Sequence, residues 1–311
     1  MKLLQNRIAQ DTKLLPVMGV AGLLVWLIAG VIEKMMWPQL CVFVVSVYLM
    51  VELSNSNALM RIRSRMVSAV FITFSSTTCF LYGHFSGGMA QLCFILFLQL
   101  LFQTYQSPQR VGMVYYAFLT LGVGSLFFAK LVWLMPLLWL LMATQLQVGN
   151  WRATAASVFG LLTPYWLIMP WFLWQGDMAP VMAHLHGMVS LPFPGDYTLL
   201  TVPLVSSFVF IALLTVVGII HFWYYSFEDK VRIRLIFGLF ATLAWVLMVL
   251  VVLMPQESDS LMRLLIVVSS PLVAHFFTFT HSRVTNVFFI VCVILAVALT
   301  VFSLWMPSLS F

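Results

Sequence analysis

The chain has 311 residues, of which 63% are hydrophobic and 8% are charged, and its mean hydropathy is +1.06. Because an ordinary soluble domain carries about 25% charged residues, no water-soluble core of this size could bury so much apolar surface, and the composition predicts a protein surrounded by lipid. The net charge of +6 does not predict a nucleic-acid partner, since the basic residues stand singly or in threes at the ends of apolar runs.

The N-terminal segment, residues 1–13, places aliphatic side chains at helical spacing opposite basic ones. This pattern predicts a short interfacial helix on the cytoplasmic surface of the membrane. The apolar run that follows, 14–32, is too long for the hydrophobic region of a signal peptide and has no small-x-small cleavage site. We therefore expect this run to be retained as the first membrane span.

Long apolar runs follow one another along the chain, separated by charged residues or by Pro-Gly clusters. Because the hydrocarbon core of a bilayer is about 30 Å thick, a crossing helix needs about 20 residues. The pattern predicts an all-α fold, a polytopic transmembrane helix bundle that forms a single domain over residues 1–311. About eleven spans are expected, or ten if the region 89–147 contains a re-entrant pair. The expected spans are 14–32, 37–53, 66–82, 89–104, 111–128, 131–147, 153–174, 199–223, 235–254, 261–280 and 286–306.

The 15 Lys and Arg residues are distributed unevenly between alternate loops. If the N-terminus is cytoplasmic, the opposite side receives only Lys34, Lys130 and Arg263. Loops on the cytoplasmic side of a membrane are enriched in Lys and Arg. We therefore expect a multi-pass membrane protein with a cytoplasmic N-terminus and, because the number of spans is odd, a C-terminus on the opposite side.

The stretch SNSNALMRIRSR, residues 54–65, concentrates positive charge between two apolar runs. Its Ser and Asn residues are good N-caps, so a helix is expected from Ala58 onward into the third span. On such a helix Arg61 and Arg65 share one face. Together with Asn57 they predict a cytoplasmic site for an anionic lipid headgroup or a polyprenyl phosphate. The alternative is that these arginines only anchor the chain to anionic headgroups.

A second basic stretch, SFEDKVRIR at 226–234, repeats the Arg-x-Arg spacing and carries Glu228 and Asp229 as candidate local partners for its basic residues. It is expected to be a further anchor. Few ionisable residues fall within the apolar runs, and the nearest to mid-membrane are Glu52 and His275. Such residues are candidates for function, since charge is costly within a bilayer.

The longest outer loop, residues 175–198, has an amphipathic middle and several polar side chains. With His84 of an earlier outer loop it predicts a polar cluster of His84, Asp177, His184, His186 and Asp196. Metal or acid-base chemistry is one interpretation, and an interfacial loop with polar tips is the other. No metal site and no cofactor is predicted. The four cysteines lie within apolar runs without metal-binding spacing and are expected to be reduced core residues.

Three stretches, ELSNSNALMRIRSRM, WRATAASVFGLLTPYW and SSPLVAHFFTF, resemble in their layout an uncharacterised family of polytopic inner-membrane proteins from Bacteroidota. The resemblance extends over most of the chain, and none of the three stretches is a catalytic motif. It implies an inner-membrane location and no particular activity.

Three function classes fit these patterns. The first is an envelope-biogenesis protein that handles a lipid-linked phosphate or glycan, with membrane lipids, anionic phospholipid or polyprenyl phosphate as partners. The second is a transporter or carrier, favoured by the number of spans and by prolines within them, although no carboxylate is expected near mid-membrane. The third is a non-catalytic scaffold subunit that binds a protein partner. No partnership with nucleic acid is expected.

Overall fold

The computed structural model describes residues 4–62, 64–176, 178–190, 197 and 200–305. Within these residues the chain forms α-helices joined by short 3₁₀ turns and no β-strand, which confirms the predicted all-α fold. The helices are α1 (Leu4–Gln10), α2 (Leu14–Ile28), α3 (Trp37–Ser56), α4 (Met66–Thr77), α5 (Phe85–Phe102), α6 (Val111–Phe127), α7 (Met135–Thr144), α8 (Trp151–Gln175), α9 (Ala179–Val189), α10 (Val202–Tyr225), α11 (Val231–Leu253), α12 (Ser258–Phe279) and α13 (Arg283–Trp305).

Seven of the described helices are long and apolar enough to cross a membrane, namely α3, α5, α8 and α10 to α13. The pair α1 and α2 gives an eighth if it is counted as one broken span. Each of the eleven apolar runs expected from the sequence contains helix. The helices α4 and α6 and the helical stretch 129–144 are shorter than a full crossing. The count of eleven spans therefore stays a prediction.

The helix α1 bends away from α2 by 92°. Its Gln5 side chain donates hydrogen bonds to the carbonyl oxygen of Phe277 at 2.6 Å and to the hydroxyl of Thr280 at 2.6 Å. The Gln5 amide donates to the Asn286 side chain at 2.9 Å. These bonds hold α1 against the end of α12 and the start of α13. A short helix perpendicular to the next one is the arrangement that an interfacial helix adopts.

The expected helix from Ala58 onward is not formed, so the prediction that Arg61 and Arg65 share a helix face is wrong. Instead, α3 ends at Ser56 and the next helix begins only at Met66. Ala58 has a left-handed φ of +48°. The amide of Ala58 donates to the carbonyl of Asn55 at 3.2 Å, and the amide of Leu59 donates to that of Ser54 at 3.1 Å. This bond pair is a Schellman motif, which terminates a helix.

The chain, expected to be a single domain, divides into two compact units, Met1–Phe85 with Pro194–Phe311 and Ser86–Phe193. In the first unit α12 is the central helix and is buried along almost its whole length. It packs against α4, α10 and α11, while α4 also contacts α2, α3 and α13. Gly218 allows α10 to approach closely, because a Cβ there would lie 2.9 Å from the carbonyl oxygen of Leu272.

The direction of the chain alternates from helix to helix in the first unit, so its loops gather at two ends. One end, which we name the basic end, comprises the described residues of 4–13, 57–65, 226–234 and 280–286. The hydrogen bonds of Gln5 join the first of these segments to the last, and the Ser64 hydroxyl donates to the carbonyl of Ala9 at 2.6 Å. The opposite end includes the stacked rings of Trp26 and Tyr82, with centroids 3.8 Å apart. The described basic residues at the basic end are Arg7, Lys13, Arg61, Arg65, Lys230, Arg232, Arg234 and Arg283.

The second unit is built around the close packing of α6 against α8. A Cβ at Gly160 would lie 2.4 Å from the carbonyl oxygen of Tyr115, and a Cβ at Gly122 would lie 2.6 Å from that of Leu161. Small residues of this kind let the backbones of two apolar helices approach each other. The expected outer loop 175–198 contains α9, which is fixed by a hydrogen bond of 2.6 Å from the Trp133 indole to the Met188 carbonyl.

A buried ionic network as candidate functional site

The carboxylate of Asp229 lies between α10 and α11, and its side chain is only 1% exposed. One of its oxygens accepts a hydrogen bond from Arg61 Nε at 2.5 Å, and the other lies 3.1 Å from Nε2 of His275. Both oxygens of the buried carboxylate are therefore bonded. A buried charge needs such partners, because leaving it unpaired away from water is costly.

The local fold explains how two carboxylates reach one guanidinium. After α10 the chain makes a single 3₁₀ turn, Ser226–Glu228, and the Asp229 amide donates to the carbonyl of Ser226 at 3.0 Å. Asp229 is extended, so the chain changes direction before α11 begins. The neighbouring Glu228 bonds Nη1 of Arg61 at 2.6 Å and is half exposed. The Arg61 guanidinium also lies over the ring of Phe279, 4.8 Å from its centre.

These contacts fix the charges of the network. The hydrogen bond with Asp229 is the main cause that raises the pKa of Arg61, and burial opposes it. Burial alone would raise the pKa of the Asp229 carboxyl, but the hydrogen bonds from His275 and Arg61 outweigh it and hold that pKa below its ordinary value. Asp229 is thus a carboxylate at neutral pH, and Arg61 is a cation.

Two histidines continue the network into the first unit. His275 of α12 is completely buried and is surrounded by aromatic rings, with centroid distances of 5.0 Å to Phe237 and 4.7 Å to Phe279. The ring of His221, on α10, lies 5.6 Å from that of His275 and stacks on Tyr225 at 4.7 Å. Nδ1 of both histidines is buried and has no hydrogen-bond partner among the described residues.

This arrangement favours one tautomer of His275. Asp229 can only accept a hydrogen bond, so Nε2 of His275 carries a proton, and Nδ1 is left with a free lone pair when the ring is neutral. An aspartate that holds one imidazole nitrogen in this way fixes the orientation of the ring and stabilises the imidazolium that forms when the other nitrogen takes a proton. Nδ1 of His275 is thus a buried acceptor without a partner among the described residues.

The three residues of the predicted anion site have separate partners. The buried Asn57 amide donates to the carbonyl of Leu53 at 3.0 Å and accepts a bond from Arg232 at 3.1 Å. Arg65 donates to the Asn55 side chain at 3.1 Å. Arg61 is engaged by the two carboxylates. All three lie at the basic end, and their role in phosphate binding stays a prediction.

The predicted outer cluster is distributed over both units. In the first unit, His84 Nδ1 lies 3.6 Å from Asp259, and Arg263 donates to the Leu81 carbonyl. In the second unit, His184 Nε2 lies 3.4 Å from the hydroxyl of Tyr165. His186 of the same helix is exposed, and Asp177 and Asp196 lie outside the described residues. Over the described part of the chain, no group of three or more His, Cys, Asp or Glu residues is placed to hold a metal ion.

Sequence reasoning identified His275 as an unusual residue but missed the group that it contacts. It expected Glu228 and Asp229 to pair with the basic residues of their own segment, whereas they bond to Arg61, which is 167 and 168 positions away along the chain, respectively. The available indication was an acidic pair between two apolar runs that would otherwise be flanked by positive charge alone.

The first unit also contains an apolar groove of about 730 Å³. Its walls come from α1, α2, α4, α10, α12 and α13 and include Val17, Val70 and Val293. Asp11 and Lys13 are its charged lining residues, and both lie where α1 bends into α2. Val273 and Phe277 of α12 also line the groove, whereas His275 lies between them in sequence and faces away on a helix of 100° per residue.

No protein-family model, curated protein or solved structure matches this chain. A function can therefore be inferred only from the geometry of the chain itself.

Proposed function

We propose that the chain is a multi-pass inner-membrane protein that binds a lipid-linked phosphate and acts in handling such lipids or their glycans during envelope biogenesis. The observation that carries the proposal is the apolar groove of the first unit, which has a charged end at Asp11 and Lys13. An amphipathic ligand with a hydrocarbon chain and an anionic head matches both parts of this surface.

The dimensions of the groove fit a lipid tail. Its volume of about 730 Å³ lies within the range of roughly 300–1,000 Å³ that is usual for small-molecule sites. Aliphatic side chains such as Val17 of α2 and Val293 of α13 are exposed on its surface. Exposed aliphatic side chains on helices that lie within a bilayer contact hydrocarbon and not water. A groove between such helices is therefore open to lipid chains from the bilayer.

The proposed orientation places the basic end in the cytosol. Cytoplasmic ends of membrane helices carry an excess of Lys and Arg, and the loops at the basic end contain most of the described basic residues of the first unit. In this orientation Lys13 lies at the depth of the cytoplasmic headgroups, where it attracts a phosphate. The C-terminus is then periplasmic if the number of spans is odd.

Native mass spectrometry of the purified protein, with farnesyl phosphate or farnesol added, tests the proposal. Wild-type protein is expected to retain farnesyl phosphate. Val17→Trp and Val293→Trp fill the groove and should reduce retention at least about tenfold, because steric filling removes the binding energy of the chain. Val249→Trp on α11 is the matched control, since the exposure of Val249 lies between those of Val17 and Val293 but Val249 does not line the groove.

The head group is tested with Lys13→Gln. This variant should lose its preference for farnesyl phosphate over farnesol, because only the charged attraction is removed. Equal retention by the two groove variants and by Val249→Trp would show that the lipid binds the general apolar surface, and would overturn the proposal. A polypeptide that stays bound in place of lipid would favour a scaffold function instead.

A further inference from the structure

The charges of the buried network do not balance. Arg61 contributes one positive charge, whereas Glu228 and Asp229, which bond to it, contribute two negative ones. Glu228 is half exposed and is solvated, but the Asp229 side chain is 1% exposed. Buried ionic groups are stable when their charges are compensated nearby. The network thus has a place for one more positive charge next to Asp229.

The two histidines can supply that charge by binding a proton. His275 is in contact with Asp229, and His221 lies beside His275. Each ring has a buried Nδ1 atom without a hydrogen-bond partner among the described residues. Because Nε2 of His275 donates to Asp229, Nδ1 is the acceptor of that neutral ring, and a neutral His221 also has one nitrogen without a proton. These acceptors lie beside a network whose three ionised groups, Arg61, Glu228 and Asp229, sum to one negative charge.

The groups that act on these histidines come from every element around them. Burial of both rings and their closeness to each other oppose a proton on the pair, as does Arg61 of the 57–65 segment, whereas Asp229 and Glu228 of the α10–α11 link favour it. The other rings that contact the two histidines, those of Tyr225, Phe222 and Phe237 among them, are uncharged. The opposing charge of Arg61 is itself neutralised by the two carboxylates that it contacts.

We propose that His221 and His275 form a binding site for one proton at the basic end of the first unit, with Asp229 as the counter-charge. The proton adds to a free imidazole nitrogen and no other bond is broken, so one positive charge is gained. Arg61, which shares Asp229 with His275, is then held less tightly because the carboxylate has a second cation. Proton binding is thereby linked to the contact between the 57–65 segment and the α10–α11 link.

The proposed site is separate from the lipid groove, and it does not depend on the proposed lipid binding. Residues of this kind within the helices of membrane proteins are found in proton relays. A metal ion is not the proposed ligand, because no group of three or more His, Cys, Asp or Glu among the described residues is placed to hold one, Asp229 and the two histidines included. The activity that this site fits is the coupling of proton binding to the contact between Arg61 and Asp229.

Nitrogen NMR of histidine-labelled protein in lipid nanodiscs tests the proposal. The imidazole ¹⁵N shifts are followed from about pH 4.5 to about pH 8.5, the range in which histidine changes charge. His221→Gln and His275→Gln assign the two rings. In wild-type protein we expect one proton to be taken up by the pair, seen as a joint change in both rings. The exposed His186→Gln variant should leave this titration unchanged.

Asp229→Asn provides the decisive variant, because it keeps the shape of the side chain and removes its charge. The midpoint of the titration is expected to move to lower pH by about one unit or more, since the counter-charge of the imidazolium is lost. Glu228→Gln should move it less, because Glu228 is half exposed and does not contact His275. If the Asp229 variant does not fold, the wild-type titration and Glu228→Gln still test the proposal.

Two results would overturn it. One is that both rings stay neutral over the whole pH range, which would assign the Asp229–His275 contact to structure alone. The other is a titration whose midpoint does not respond to Asp229→Asn. Neither result would affect the lipid-binding proposal, because lipid retention is measured with variants of other residues.

Discussion

Arg61 and Asp229 form an ion pair of 2.5 Å across 168 positions of sequence. The pair joins the segment that follows α3 to the link between α10 and α11, and through His275 it reaches the central helix α12. Asp229 is almost completely buried, while Arg61 is about 29% exposed. The contact is therefore the point at which three distant parts of the first unit are held together.

Arg61→Ala is expected to lower the free energy of unfolding by about 2–4 kcal/mol, because it leaves the Asp229 carboxylate buried without its cation. The free energy is measured by titration with SDS in mixed micelles. Arg65→Ala is the control and should change it by less than about 0.5 kcal/mol, since Arg65 makes an exposed hydrogen bond to Asn55. Equal effects of the two substitutions would contradict the pairing.

Ala58→Gly is expected to stabilise the protein by about 0.5–1 kcal/mol. Ala58 has a φ of +48°, and an alanine pays about 1 kcal/mol for this left-handed conformation, which glycine adopts freely. Ala298→Gly, at an exposed position within α13, should destabilise by about the same amount. If both glycines destabilise in the same SDS titration, α3 does not end in the Schellman motif.

Gly160→Ala is expected to destabilise the second unit by about 1–3 kcal/mol, the usual cost of overpacking. The added methyl group would lie 2.4 Å from the Tyr115 carbonyl oxygen, a backbone atom that cannot move without separating α6 from α8. The same change at Gly112 of α6 meets no atom within 4 Å. Gly112→Ala should leave the unfolding transition unchanged or raise it slightly. A loss of stability in both variants would show that the effect is not specific to the α6–α8 contact.

The packing of α9 in the second unit should weaken at acidic pH. Burial lowers the pKa of His184, which lies beside Tyr165. When α9 separates, His184 regains its ordinary pKa of about 6.5 and binds protons more readily. The packed state is therefore fully favoured above about pH 6.5 and loses stability as the pH falls below that value.

Hydrogen exchange of the α9 amides, corrected for the intrinsic effect of pH, measures this change. Protection is expected to decrease from about pH 7.5 to about pH 5.5 in wild-type protein. His184→Gln should remove most of the dependence, whereas His186→Gln, at an exposed position of the same helix, should keep it. Protection that does not depend on pH in wild-type protein would contradict the prediction.

The positions of the helices follow from local sequence, whereas the C-terminal boundary of α3 at Ser56 does not. Each apolar run predicts a helix, because the backbone of an apolar segment must satisfy its own hydrogen bonds. Ser54 and Asn57 are residue types favoured at helix N-caps, so their pattern alone indicated an N-terminus. The hydrogen bond from the Asn57 side chain to Leu53 and the turn at Ala58 place them at a C-terminus instead.

The sequence by itself determined the helical class, the positions of the apolar segments and the uneven distribution of charge, since these depend on composition and on neighbours along the chain. Only the tertiary structure decided which cation meets which carboxylate. Arg61, Asp229 and His275 belong to segments that are far apart in sequence, and no local pattern encodes their contact. Burial makes that contact necessary, because a carboxylate removed from water is stable only beside the groups that the fold brings to it.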